Sequence, residues 1–89
     1  MTGMSVQVTY RRGKPFAAYI YLRRAAGLTS KRTERLSDDV LIDYDQDGSP
    51  LGIEIVSPAV VSIDEINAAF DRIGVARPEP RDLEPLSAA

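Results

Sequence analysis

The 89-residue chain contains no cysteine and no histidine. Without cysteine there is no disulfide, no thiolate nucleophile and no thiolate metal site. Without histidine the commonest general base and metal ligand is missing. Together the two absences exclude Ser-His-Asp and Cys-His catalysis. No apolar run approaches the roughly 18 residues that crossing a bilayer takes. Met1-Thr2-Gly3-Met4-Ser5 has neither the basic nor the apolar stretch of a secretory signal. The expectation is a cytoplasmic, non-enzymatic protein without membrane association and without a cofactor.

What is present suits one small globular domain, with 44% hydrophobic residues. The formal net charge of −2 conceals an asymmetry. Residues 1–36 hold eight bases and one acid, whereas residues 37–89 hold twelve acids and three bases. A basic half can be an anion-binding face. It can equally lie beside the acidic half in one sheet and be neutralised there.

Ser5 to Tyr10 alternates apolar and polar residues, the pattern of a half-buried strand with Val6, Val8 and Tyr10 on one side. Phe16 to Leu22 is apolar on both faces, which suits a central strand. Thr33 to Leu36 reads as a short polar strand, and Asp39–Asp45 and Leu51–Val56 read as two more. Ser62 with Glu65 makes a capping box that opens a helix. Ile63, Ile66, Ala69, Phe70 and Ile73 form its apolar stripe, and Gly74 ends it. Three prolines in the eight residues from Pro78 to Pro85 give the segment from 76 onward the composition of a flexible tail. The predicted fold is α+β: an antiparallel β-meander of four or five strands with one C-terminal helix packed on one face. The ordered domain covers residues 1–75 and a disordered proline-rich tail covers 76–89. The predicted core comprises Val6, Val8, Tyr10, Tyr19, Tyr21, Val40, Ile42, Tyr44, Ile53, Ile55, Ile63, Ile66, Phe70 and Ile73. Ala18, Ile20, Leu22 and Leu41 are then left on the uncovered face, which predicts a homodimer through it.

Asp43-Tyr44-Asp45-Gln46-Asp47-Gly48, with Glu54 six residues on, matches the calcium loop pattern D-x-[DN]-x-[DN]-G-x5-E at every fixed position. Its flanks do not. A calcium loop needs a helix on either side, but Val40-Leu41-Ile42 favours a strand and Pro58 forbids a long exiting helix. A β-hairpin fits better. With Asp47-Gly48 at the centre of a two-residue type I′ turn, Tyr44 faces Leu51, Ile42 faces Ile53 and Val40 faces Ile55, an all-apolar set. The opposite face pairs Asp43 with Gly52 and Leu41 with Glu54. Asp43, Asp45 and Glu54 then share one face, with the two aspartates about 7 Å apart. They read as a solvated acidic face that blunts aggregation, and as the candidate residues for a loosely held hard cation.

Tyr10, the Tyr19-Ile20-Tyr21-Leu22 strand, and the run Asp43-Tyr44-Asp45-Gln46-Asp47-Gly48 followed by Gly52-Ile53-Glu54-Ile55 resemble the small bacterial domain-of-unknown-function family 2283. The resemblance spans residues 6–57 and implies a small β-meander domain without an assigned activity. Members carry acids in the first loop, where this chain has Arg11, Arg12 and Lys14, and Asp-Ala where it has Phe16-Ala17. Roles of those acids therefore do not transfer.

Three functions remain. The first is a protein-interaction module that self-associates or covers a protein partner, in the antitoxin-like or regulatory manner of small bacterial domains. The second is nucleic-acid binding by Arg11, Arg12, Lys14, Arg23 and Arg24, with Tyr19 and Tyr21 as stacking platforms. The third is a weak divalent-cation site on Asp43, Asp45 and Glu54.

Overall fold

Alternating and β-branched segments build five strands: β1 (Ser5–Arg11), β2 (Lys14–Tyr21), β3 (Arg32–Arg35), β4 (Val40–Tyr44) and β5 (Pro50–Ile55). Helix α1 (Ile63–Ile73) follows, then a 3-10 turn at Pro80–Leu83 and a short helix α2 (Glu84–Ser87). This computed structural model describes residues 4–22 and 29–87. All strand pairs are antiparallel, in the order β1-β2-β5-β4-β3. The last three strands meander back, so that β5 lies between β4 and β2. The class is the expected α+β arrangement, five antiparallel strands with a C-terminal helix.

The core lies between one sheet face and α1. Ile20, Val40, Ile42, Ile53, Ile55 and Phe70 are fully buried, and burial of each such side chain contributes about 1.5–3 kcal/mol. Ser62 caps α1: its Oγ accepts from Glu65 N–H (3.1 Å), and Glu65 Oε1 accepts from Ser62 N–H (3.3 Å). Glu65 Oε2 also accepts from Ser37 Oγ (3.1 Å), tying the helix start to the β3–β4 connection. Leu83 and Leu86 are buried in the same core, with the C-terminal turn lying against β1. A segment whose prolines suggest only extension thus places two leucines beneath β1.

Four core assignments need correction. Ala18 and Ile20, not Tyr19 and Tyr21, face the helix. Their partners Ile55 and Ile53 lie on the core face of β5, so the pairing fixes the face. A strand apolar on both sides carries no alternation that could have chosen it. Tyr10 is exposed near the β1–β2 tip, where the extra residue Phe16 on β2 makes a bulge that shifts the register between Thr9 and Tyr10. Ile63, at the first helical position, is exposed as well; the buried stripe is Ile66, Ala69 and Phe70.

Candidate functional site

The face opposite α1 carries a hydrogen-bonded belt across the sheet. Tyr21 on β2 donates to Gln7 Oε1 on β1 (3.2 Å). Tyr19 donates in the other direction to Asp43 Oδ2 on β4 (2.8 Å), and Thr33 on β3 donates to Asp43 Oδ1 (2.7 Å). The two tyrosine rings lie 4.6 Å apart between centroids, tilted by 56°. To reach Asp43, the ring of Tyr19 crosses β5 above Gly52, and a Cβ at that position would collide with the ring. Gly52 is therefore the seat of Tyr19. Burial first, then the hydrogen bond to Asp43 and the charges of Asp43, Tyr21 and Glu54, push the Tyr19 phenol well above its ordinary value near 10.

Asp45 leaves this face. Its Oδ1 accepts from the amides of Asp47 (2.9 Å) and Ser49 (3.0 Å), and the residue is only 7% exposed. Gly48 N–H donates to Asp45 O (3.0 Å) and Asp45 N–H to Ser49 O (2.9 Å). The connection is a three-residue loop, a type I turn followed by left-handed Gly48 at φ +81°. It replaces the expected two-residue type I′ turn. The partners Asp43↔Gly52, Ile42↔Ile53, Leu41↔Glu54 and Val40↔Ile55 are as the sequence predicts, while a bulge beyond Asp43 sets Tyr44 against Pro50 instead of Leu51.

On the helix side of the β3 edge, Tyr44 donates to Glu34 Oε1 (2.8 Å) and Arg72 of α1 donates to Glu34 Oε2 (2.8 Å). Arg32 lies over the Tyr44 ring, 4.0 Å from its centroid. The Arg72 and Tyr44 hydrogen bonds hold the Glu34 carboxyl below its ordinary range. Burial and the Glu34 hydrogen bond raise the Tyr44 phenol.

The predicted site residues fall in separate places. Asp43 belongs to the belt and Asp45 to the loop, and only Glu54 faces outward beside Tyr19 and Leu41. Among the described residues no three acidic side chains gather into a group able to hold a metal ion. Arg11, Arg12 and Lys14 do come together, around a concavity of about 680 Å3 at the β1–β2 tip. Arg12 there has a left-handed backbone, φ +54°, and Arg11 lies over the ring of Phe16 at 4.5 Å. Arg23 and Arg24 lie outside the described residues.

Sequence reasoning did not locate a cleft of about 530 Å3 formed by Pro15, Phe16, Ala17, Val56, Ser57 and Ala59, with Glu54. Phe16 and Val56 are 51% and 39% exposed in it. No local sequence signal marks it: β5 ends at Ile55, three residues before Pro58.

No helix among the described residues is long and apolar enough to cross a membrane. Sheet, single helical layer and belt define a small α+β domain whose signature residues hold one another in place. The family model described as protein of unknown function (DUF2283) matches residues 17–57, from within β2 to just past the end of β5. The match leaves out Tyr10 and the first loop, which the resemblance in the sequence had included. Comparison with curated proteins and with solved structures gives no match.

Proposed function

We propose that the protein is a non-enzymatic, cytoplasmic interaction module that binds another polypeptide along the uncovered side of its sheet. The observation that carries this reading is the fate of the acidic signature. Asp43 and Asp45 are engaged by protein hydroxyls and amides. The groups left facing outward are instead those of a contact surface: Tyr21, Phe16, Val56 and the Glu54 carboxylate.

Self-association through the uncovered face loses its basis. Ala18 and Ile20 lie in the core, Leu22 packs against it, and Leu41 alone stays on that face, partly buried. The proposed partner is therefore a different chain. Affinity purification of the tagged protein from its native host, followed by light scattering, tests this. The expected result is a stoichiometric complex with a second polypeptide. A lone monomer, or a homodimer that admits no other chain, overturns it.

A second reading rests on the β1–β2 tip, where Arg11, Arg12 and Lys14 stand between exposed Tyr10 and Phe16. Cations interleaved with aromatics suit a single-stranded nucleic acid. Three phosphate contacts predict binding whose logarithm falls with log salt at a slope near −2. Absence of binding to an oligonucleotide at low salt removes this reading.

A further inference from the structure

We propose that the protein dimerises with a second copy of itself by antiparallel pairing of β1 with its counterpart, which joins the two sheets into one. The inference goes beyond the interaction reading. It uses the edge of the sheet and leaves the uncovered face to another polypeptide.

The two edges of the sheet differ in kind. The order β1-β2-β5-β4-β3 leaves β1 and β3 each with one side unpaired among the described residues. An edge strand is a template for pairing, and short length or charge discourages it. β3 is four residues long, and Arg32, Glu34 and Arg35 within it are charged. β1 is seven residues long, and from Ser5 to Tyr10 it carries neither a charge nor a proline. Leu83 and Leu86 bury on the core side of β1, where Val6 and Val8 also pack. Among the described residues no backbone hydrogen bond reaches β1 from the C-terminal turn.

The hydrogen bonding of β2 settles which groups β1 presents. Leu22 N–H donates to Leu51 O (3.1 Å), so Ala18 and Ile20, in the same register, also bond toward β5. Ala17, Tyr19 and Tyr21 therefore bond toward β1, through their partners Thr9, Gln7 and Ser5. The register is unbroken over this stretch, because the bulge lies beyond Thr9. Val6 and Val8 are left with N–H and C=O directed outward.

The sequence of β1 names the occupant. Self-pairing about a two-fold axis needs a strand that complements its own reverse. Ser5-Val6-Gln7-Val8-Thr9 does so, since its chemistry reads alike from either end with Gln7 at the centre. With the axis at Gln7, Val6 of each copy exchanges hydrogen bonds with Val8 of the other. On the uncovered side Gln7 then faces Gln7 and Ser5 faces Thr9. On the core side valine faces valine, and Met4 faces Tyr10, which is 54% exposed in the single chain. From Met4 to Tyr10 the register opposes no two charges.

The chain has no cysteine, so a single introduced one reports the pairing without competitors. In this register the two Gln7 positions form a non-hydrogen-bonded pair with Cα atoms about 4.5 Å apart, within the span of a disulfide. Gln7→Cys in a glutathione redox buffer is expected to give a covalent dimer as the main product. Thr9→Cys should stay unlinked, because its two copies lie more than about 10 Å apart. Sedimentation equilibrium of the wild type should show a monomer–dimer equilibrium with a dissociation constant below about 1 mM. Gln7→Lys and Gln7→Glu change an exposed side chain and should leave Tm within a few degrees. Each sets like charges opposite one another on the axis and should weaken the dimer by about tenfold or more, and mixing the two variants should restore it. A wild type that stays monomeric up to about 1 mM overturns the proposal. So does linkage of Thr9→Cys as efficient as that of Gln7→Cys, or a dimer that neither charged variant weakens.

Discussion

The two hairpins of this sheet handle their polar groups in opposite ways. In the β4–β5 hairpin two aspartates turn inward on the fold: Asp43 takes hydroxyls from β2 and β3, and Asp45 takes two amides of its own loop. In the β1–β2 hairpin Arg11, Arg12 and Lys14 stand together at the tip between two exposed aromatics, and none of the three pairs with an acid among the described residues. The family match covers the first hairpin and begins after the tip of the second. A run of acids that reads as a binding motif can therefore be a folding device. The less patterned hairpin is the one that faces outward.

If the β4–β5 hairpin is a folding device, breaking it should cost stability. Gly52→Ala has the largest expected effect, because the new Cβ displaces the Tyr19 ring and with it the Tyr19–Asp43 bond. A loss of about 3 kcal/mol is expected, a fall in Tm of roughly 12–24 °C for a domain of this size. The same substitution in a Tyr19→Ala background should cost nothing or stabilise slightly, since alanine outdoes glycine within a strand by about 0.5–1 kcal/mol. Thermal denaturation of the four proteins in this cycle checks it, and equal costs in both backgrounds would remove Tyr19 from the account. Asp45→Ala comes next, at about 2 kcal/mol, because the amides of Asp47 and Ser49 lose a charged acceptor. Asp45→Asn keeps one acceptor oxygen and should recover about half of that. If Asp45 is instead a cation ligand, added Ca2+ or Mg2+ will raise the Tm of the wild type and not of the alanine variant.

These residues also show how far the sequence could be read. The pairs from Val40↔Ile55 to Asp43↔Gly52 were legible because a one-residue slip would mix apolar and polar faces. The loop length was not. Asp47-Gly48 favours a two-residue turn, but the Asp45 side chain captures two amides and closes a longer loop, a competition that propensity alone does not weigh. The face of β2 was hidden for a different reason. Tyr19 and Tyr21 are as apolar as Ala18 and Ile20 in a period-two count, and what decides is that phenol hydroxyls need partners, which Asp43 and Gln7 supply only on the open side. The cleft beside Glu54 depends on where β5 leaves β2, a long-range pairing that no local pattern encodes.

Tyr19→Phe sharpens the comparison at smaller scale. It keeps the ring over Gly52 and removes one hydrogen bond, a loss of about 1 kcal/mol at neutral pH. The pH dependence has a definite sign. Folding raises the Tyr19 value above its ordinary 10, so the neutral phenol is favoured in the folded state. That contribution is complete below pH 10 and disappears as the pH rises above 10 toward the folded value. The stability difference between wild type and Tyr19→Phe should therefore shrink with alkali. Tyr44, shifted in the same direction, stays in both proteins and drops out of the difference. A difference that is constant or grows above pH 10 would show that the phenol does not donate to Asp43.

The smallest expected effect lies in the other hairpin and has the opposite sign. The type I′ turn of this protein is Arg12-Gly13, with φ +54° and +76°, rather than Asp47-Gly48. An arginine held in the left-handed region is strained by roughly 1 kcal/mol, and asparagine tolerates that conformation better. Arg12→Asn should therefore stabilise the domain by about 0.5 kcal/mol, a rise in Tm of roughly 2–4 °C, while removing one of the three cations at the tip. If the tip binds an anionic strand, the same variant should weaken oligonucleotide binding and lower its salt slope by about 0.7. A gain in stability together with a loss in binding would identify Arg12 as a residue retained for contact at the expense of the turn. A loss of stability would mean that the fold uses the Arg12 side chain after all, and the contrast between the two hairpins would fail.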